Sequence, residues 1–256
     1  MRSSIRYLGV LALLGLVFNA KADSFVQFDL GYADLTEGFA NWNDQTLRLN
    51  LAVTSKDRLS AEISNQRHFD DQGTFYGMAY TRVFNDTWYG SIHAGSSDGG
   101  FFLPRSRIDA FINRKWLSNK NLVTTFGAGY YEAKDGHIDR NVLLSALYYF
   151  PGPWIVEVGG RINRSDPGDV LSRRGFAVLT YSQYKRMQIV LRHEDGNEAY
   201  QLIGESTALS DFPSSETSLT WRQLLAKSYG IHAVLSRYEN PSYDRKAVQI
   251  GMFYEF

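Results

Sequence analysis

From Phe25 onward the chain alternates between apolar and polar residues with a period of two, and the pattern returns again and again to the final residue. Side chains of a β-strand point to opposite faces in turn, so each such run is a strand with one greasy and one polar side. Val26, Phe28, Leu30 and Tyr32 share a face, with Gln27, Asp29 and Gly31 opposite. Leu47, Leu49, Leu51 and Val53 oppose Arg48, Asn50 and Ala52, and Leu59, Ala61 and Ile63 oppose Ser60, Glu62 and Ser64. Ile108, Ala110 and Ile112 face away from Arg107, Asp109 and Asn113. Trp154, Val156, Val158 and Ile162 oppose Glu157, Gly159, Arg161 and Asn163. The last run sets Val248, Ile250, Met252, Tyr254 and Phe256 against Gln249, Gly251 and Glu255.

Turn signals separate these runs, and two kinds take strict turns. The short ones fall at 54–57, 85–86, 118–121, 151–153, 184–186 and 226–227. The others, mostly longer and more polar, fall at 36–43, 68–73, 96–106, 134–136, 164–174, 193–215 and 239–244. Short inner turns alternating with long outer loops are the rhythm of a barrel that crosses an outer membrane. Seven of one kind and six of the other require fourteen antiparallel strands with both ends on one side. The fourth strand, near 74–83, and the tenth, near 173–181, carry large residues on both faces, so twelve strands is the alternative count.

The N-terminus reads as an address. Arg2 and Arg6 precede an apolar stretch from Leu8 to Phe18, and Ala20-Lys21-Ala22 supplies a small-x-small cleavage pattern. The stretch is too short for a spanning helix, which needs about 20 apolar residues. The expected organisation is a cleaved signal peptide over 1–22 and one barrel over 23–256.

Composition narrows the partners. There are no cysteines, which excludes a lipidated N-terminal cysteine, a disulfide framework and a thiolate metal site. Basic and acidic residues number 27 each, so no global field recruits nucleic acid. Aromatic residues cluster near the short turns: Trp88, Trp116, Tyr149, Phe150, Trp154, Tyr184, Tyr229 and Phe256 form the expected inner belt. Tyr32, Phe75, Tyr130 and Tyr238 are the outer-belt candidates. The polar faces hold Gly, Ser and Asn more than Lys, which suits a water-filled lumen better than the open surface of a sandwich.

Charged side chains on the lipid face near the bilayer midplane cost roughly 2–4 kcal/mol for Arg or Lys, so the alternation must turn them inward. Arg48, Glu62, His93, Arg107, Asp109, Asn113, Glu157, Arg161, Asn163, His232 and Glu255 are therefore the expected lumen lining, either an ion-pair plug or a polar pore. Met252, Tyr254 and Phe256 end the chain in an aromatic-terminated stripe, which looks like the signature of bacterial outer-membrane barrels and implies recognition by the barrel assembly machinery.

Several segments resemble the YaiO-type outer-membrane barrels. These are Phe28-Asp29-Leu30-Gly31-Tyr32, Thr124-Thr125-Phe126-Gly127-Ala128-Gly129-Tyr130, Tyr149-Phe150-Pro151-Gly152-Pro153-Trp154 and Gly196-Asn197-Glu198-Ala199-Tyr200. The resemblance spreads over most of the mature region as pattern more than motif. It implies a single-domain barrel in a family sometimes associated with surface polysaccharide systems, and it carries over no functional residue.

No Gly-x-Ser-x-Gly or His-Glu-x-x-His occurs. His68, His137 and His193 are expected on outer loops and His93 and His232 in the lumen. His193-Glu194-Asp195 is the best acid/base candidate, with a solvated loop as its plainer reading. The leading expectation is a non-enzymatic channel or binding barrel for polar solutes or surface saccharide, with no cofactor and no metal. Its surroundings are outer-membrane lipid and lipopolysaccharide, polysaccharide being a candidate ligand. The rivals are an enzyme acting on lipid or lipopolysaccharide, and a structural or adhesive barrel using its third and sixth outer loops.

Overall fold

A computed structural model describes residues 24–183 and 186–256; the proposed signal peptide and Tyr184 lie outside the described residues. Fourteen strands follow one another: β1 (Phe25–Leu35), β2 (Trp42–Ala52), β3 (Asp57–His68), β4 (Asp71–Val83), β5 (Trp88–Gly99), β6 (Ser106–Trp116), β7 (Leu122–Glu132), β8 (Ile138–Tyr149), β9 (Trp154–Asp166), β10 (Val170–Gln183), β11 (Met187–Gly204), β12 (Thr207–Leu224), β13 (Tyr229–Glu239) and β14 (Asp244–Glu255). Each pairs antiparallel with its sequence neighbours. The ring closes where β1 meets β14, from Phe25 opposite Glu255 to Leu35 opposite Arg245. Backbone groups have no water partner in hydrocarbon, so a closed ring, which leaves no edge, is the form in which strands can cross. The fourth and tenth strands are both present, and the twelve-strand count falls away.

The greasy faces look outward. Phe28, Leu30, Met78, Ile92, Phe126, Leu144, Val158, Leu171, Leu235, Ile250 and Met252 are all exposed, several by more than half. Burying one such side chain is worth about 1.5–3 kcal/mol. A ring of them facing water would cost tens of kcal/mol, so this band is made for lipid. At the rim bearing the chain ends, Trp88, Trp116, Trp154 and Tyr229 stand exposed, and the Arg114 guanidinium lies 3.6 Å from the Trp116 ring centroid. That arrangement suits an aromatic belt at headgroup level.

Two outer-belt expectations are corrected. Phe75 and Tyr238 face inward, and Tyr76 takes the outward position beside Phe75. Strand β4 carries large residues on both faces, so its local pattern leaves the register open. Pairing to β3 and β5 decides it. Phe75 belongs to a recurrent device, an inward ring lying against a glycine of a neighbouring strand. A Cβ on Gly95, Gly127, Gly159 or Gly230 would fall inside 3.0 Å of Phe75, Phe111, Phe176 or Phe253, respectively. The glycine gap lets a large ring lie flat on the wall and leaves the lumen open.

The outer connections are also shorter than expected. Only Phe69 and Asp70 join β3 to β4, both with positive φ, and residues 167–169 join β9 to β10. Most of the polar residues read as loop belong to strands that continue beyond the apolar band.

Candidate functional site

Of the residues named from alternation, Arg48, Glu62, His93, Arg107, Asp109, Arg161 and Asn163 border cavities inside the barrel, and the fold ties many of the set together across strands far apart in sequence. Asp29 is the centre of the inner-half network, its side chain 1% exposed. It accepts from Arg48 Nη1 at 2.6 Å, lies 3.2 Å from His232 Nδ1 and accepts from Gln27 Nε2 at 2.8 Å. Arg48 also donates to Glu62 at 2.7 Å. On the other side Arg222 donates to Gln27 at 2.9 Å and to Glu255 at 3.3 Å, with its guanidinium over the Phe253 ring. One chain of ion pairs and hydrogen bonds, bridged by the neutral Gln27 amide, thus runs Glu62–Arg48–Asp29–Gln27–Arg222–Glu255 across the closing seam. Arg222, Gln27 and Asp29 were not on the sequence-derived lining set. For Gln27 and Asp29 the signal was there: alternation puts both on the polar face of β1, opposite Phe28 and Leu30.

Elsewhere on the wall Arg107 donates to Asp109 at 2.6 Å, and Asn113 accepts from Thr125 at 2.7 Å. Asn163 Nδ2 donates to Asp139 at 3.0 Å. His93 packs edge-on to Phe111. Two of the cavities inside the barrel are bordered by these residues. The outer, of about 480 Å³, is bounded by Arg107, Asp109, Asp139, Arg161, Arg174 and Arg245 among others. A second, of about 510 Å³, is bounded by Arg48, Glu62, Phe75 and His93. Arg107 and Asp109 line both.

The largest departure from sequence expectation is at the mouth. The presumed sixth loop is a β-hairpin: β11 and β12 pair all the way to Gly204 opposite Thr207. Pairing of β10 to β11 stops at Gly196, and that of β12 to β13 starts at Ser215, so residues 197–214 leave the wall as a free two-stranded arm. Gly196 stands at the departure point with φ +144°, where a Cβ would run into the backbone of Arg173 and Arg174. The arm folds over the mouth. The Tyr200 ring stacks on His137 with centroids 3.5 Å apart, and its hydroxyl donates to Asp135. Gln201 donates to the Tyr243 hydroxyl at 2.7 Å. Ile203 packs on a buried cluster of Ala33, Leu35, Trp42, Tyr238 and Tyr243. Burial pushes the Tyr243 hydroxyl up to about 12. Burial also works on the Asp135 carboxyl, raising it, but hydrogen bonds from Tyr200 and His137 outweigh this and hold it below the usual carboxylate range.

The base of the arm is fixed from within. Arg174 donates to Glu194 at 2.8 Å, to Glu198 at 2.5 Å and to Ser214, and Tyr238 donates to Glu198 at 2.9 Å. This dissolves the His193-Glu194-Asp195 cluster. All three lie in β11, whose alternation turns Glu194 inward to Arg174 and Arg192 while His193 and Asp195 point out; His193 meets Thr217 instead. His68 ends β3 and points inward, stacked between Trp42 and Phe102 and 2.8 Å from Asp44. His137 does lie on an outer loop.

Closed antiparallel ring, outward apolar band, aromatic inner rim and polar charged lumen together define an integral outer-membrane β-barrel. Residues 24–201 match the YaiO membrane beta barrel domain, and the chain belongs to that family. Among solved structures it is similar to a bacterial polysaccharide outer membrane secretin, with TM-score 0.58, 10% identity and coverage of 91% of this chain and 98% of that one. It is similar also to the CymD monoaromatic hydrocarbon channel, with TM-score 0.54, 8% identity and coverage of 91% and 88%. Outer-membrane OmpT of Vibrio cholerae aligns with TM-score 0.51, 10% identity and coverage of 93% and 99%. At such identities the likeness is one of fold. No curated protein sequence matches the chain significantly.

Proposed function

We propose that this barrel is a non-enzymatic channel for polar solutes or saccharide, with the β11–β12 arm as the cover of its outer mouth. The observation that carries the reading is the sharing of Arg107 and Asp109 by two lumen cavities, which sets two polar chambers next to each other inside the barrel. Arg48, Glu62, His93, Asn113, Glu157, Arg161, Asn163, His232 and Glu255 serve as its lining. Cross-wall ion pairs narrow the path and set a transverse field, the means by which such a lumen sorts solutes. An enzymatic reading loses its best candidate, because the sheet sends His193 and Glu194 to opposite sides. Planar-bilayer recording tests the proposal on the full chain and on a variant lacking residues 197–211. Conductance steps that enlarge in the deletion variant are expected. Silence from both folded proteins would discard the channel.

Biogenesis follows from the two ends. Export with cleavage after Ala22 predicts a mature protein that begins at Asp23 on N-terminal sequencing. Met252 and Tyr254 stand out into the lipid face at the seam, and with Phe256 they serve as the stripe recognised by the barrel assembly machinery. Phe256→Asp should then slow machinery-assisted insertion while spontaneous refolding in detergent persists.

A further inference from the structure

The outer chamber contains an unusual set of unmet hydrogen-bonding groups. Arg161 Nε and Arg245 Nε are buried donors without a partner, and Asn163 Oδ1 is a buried acceptor without one. The Asn163 amide is oriented by its own bond, since Nδ2 donates to Asp139 and so leaves the oxygen facing away. Polar atoms kept from water without a partner cost about 1–3 kcal/mol each, and three lining one cavity mark a place for something with polar atoms of its own.

The chemistry of that something is constrained. The chamber lining holds Arg107, Arg161, Arg174 and Arg245 against Asp109, Asp139, Glu194, Glu198 and Glu216, four cations against five anions. Most are already paired to one another: Arg107 with Asp109, Arg174 with Glu194 and Glu198, Arg245 with Glu216. An acidic solute therefore finds no surplus of positive charge. A hydroxyl, by contrast, both donates and accepts, so one kind of group can meet the two guanidinium donors and the amide acceptor. Arg161 and Asn163 are two residues apart on one face of β9, about 7 Å along the strand, within reach of two hydroxyls on a single sugar ring. Tyr131, Tyr200 and Tyr238 line the same cavity, and its volume of about 480 Å³ falls within the roughly 300–1,000 Å³ usual for ligand clefts.

We infer that the outer chamber is a binding subsite for an uncharged saccharide, with Arg161 and Asn163 on one wall and Arg245 on the other taking its hydroxyls. This rests on the polar-solute reading and names the solute class. The arm contributes Tyr200 and Gln201 to the lining, so bound sugar and closed cover share the same site.

Titration calorimetry on the detergent-folded full chain, with maltohexaose as probe and hexagalacturonate as its acidic counterpart, tests the inference. Saturable binding of maltohexaose is expected, weakened at least tenfold by Arg161→Gln and separately by Asn163→Ala, each with the heat-modifiable gel shift of a folded barrel. Hexagalacturonate should bind more weakly than maltohexaose. No binding of maltohexaose, equal binding by the variants, or tighter binding of the acidic sugar would overturn it. Conductance recorded on the same preparations separates the two levels: a conducting barrel that ignores maltohexaose removes the subsite and spares the channel.

Discussion

Releasing the arm from the mouth should convert a closed cover into an open one, and the structure gives the size of the effect. Two of the contacts that hold the arm lie toward its tip and can be removed by substitution there: the Tyr200 latch on His137 and Asp135, and Ile203 in its aromatic cluster. A hydrogen bond to a charged group is worth about 1.5–3 kcal/mol, and exposure of this one brings it nearer 1 kcal/mol. The ring stack adds about 0.5–1.5 kcal/mol. Ile203, partly buried against the cluster, is worth about 1–2 kcal/mol, below the figure for a fully buried side chain, and a carboxylate there would be repelled further. Tyr200→Ala alone should shift the closed–open balance by about 2 kcal/mol, roughly thirtyfold. Tyr200→Ala with Ile203→Asp should shift it by about 4 kcal/mol or more, close to a thousandfold, allowing that neighbouring changes need not add. The chain has no cysteine, so Asp70→Cys and Ser206→Cys take a clean pair of spin labels, one on the opposite rim and one at the arm's tip. Pulsed dipolar spectroscopy in lipid should show one short distance for the parent and a long, broad component for the double variant. A folded double variant with the parent's distance distribution would refute the latch.

Acid should loosen the same latch. The Asp135 pKa is lowered in the folded state, so its contribution is fully present above the unfolded value of about 4 and fades as pH falls through the folded value; the labelled pair should open only below about pH 4, and opening near neutrality would contradict it. Gly196→Ala places a Cβ against the Arg173 and Arg174 backbone at a φ that favours glycine, costing about 1–3 kcal/mol. The labelled arm should then lose its single position while the barrel itself remains folded. Asp29→Ala leaves His232 without its hydrogen-bond partner and Arg48 without one of its two carboxylates. The loss should be about 2–4 kcal/mol, below the usual figure for a broken buried pair because Arg48 keeps Glu62, and urea unfolding in vesicles measures it. Gly127→Val would push the Phe111 ring off the wall, at about 1–3 kcal/mol for overpacking. Smaller conductance steps than the parent's should accompany it.

Alternation and turn spacing led to fourteen strands, with twelve left open, and put both ends on one side, because a period of two assigns a face to every residue once a run is recognised. Where large side chains fill both faces the rule goes silent. Phe75 was read outward for this reason, and hydrogen-bonded register to β3 and β5 resolves it. Polarity misled in the arm: Asn197 to Asp211 look like a loop in composition, but a hairpin beyond the bilayer needs no greasy face. The His193-Glu194-Asp195 cluster was an artefact of adjacency in sequence, undone by the pleat.

The sequence by itself determined that this chain must close on itself in a membrane, since its many half-greasy strands have nowhere else to put both their apolar faces and their backbone groups. Only the tertiary structure decided which charges meet. Asp29 finds His232 across a separation of 203 residues because ring closure lays β1 against β14 with β13 beyond it. The cover over the mouth is likewise a property of the folded rim, where Ile203, Trp42 and Tyr243 become neighbours. Local pattern sets the face of a residue; pairing order and curvature of the whole sheet set its partner.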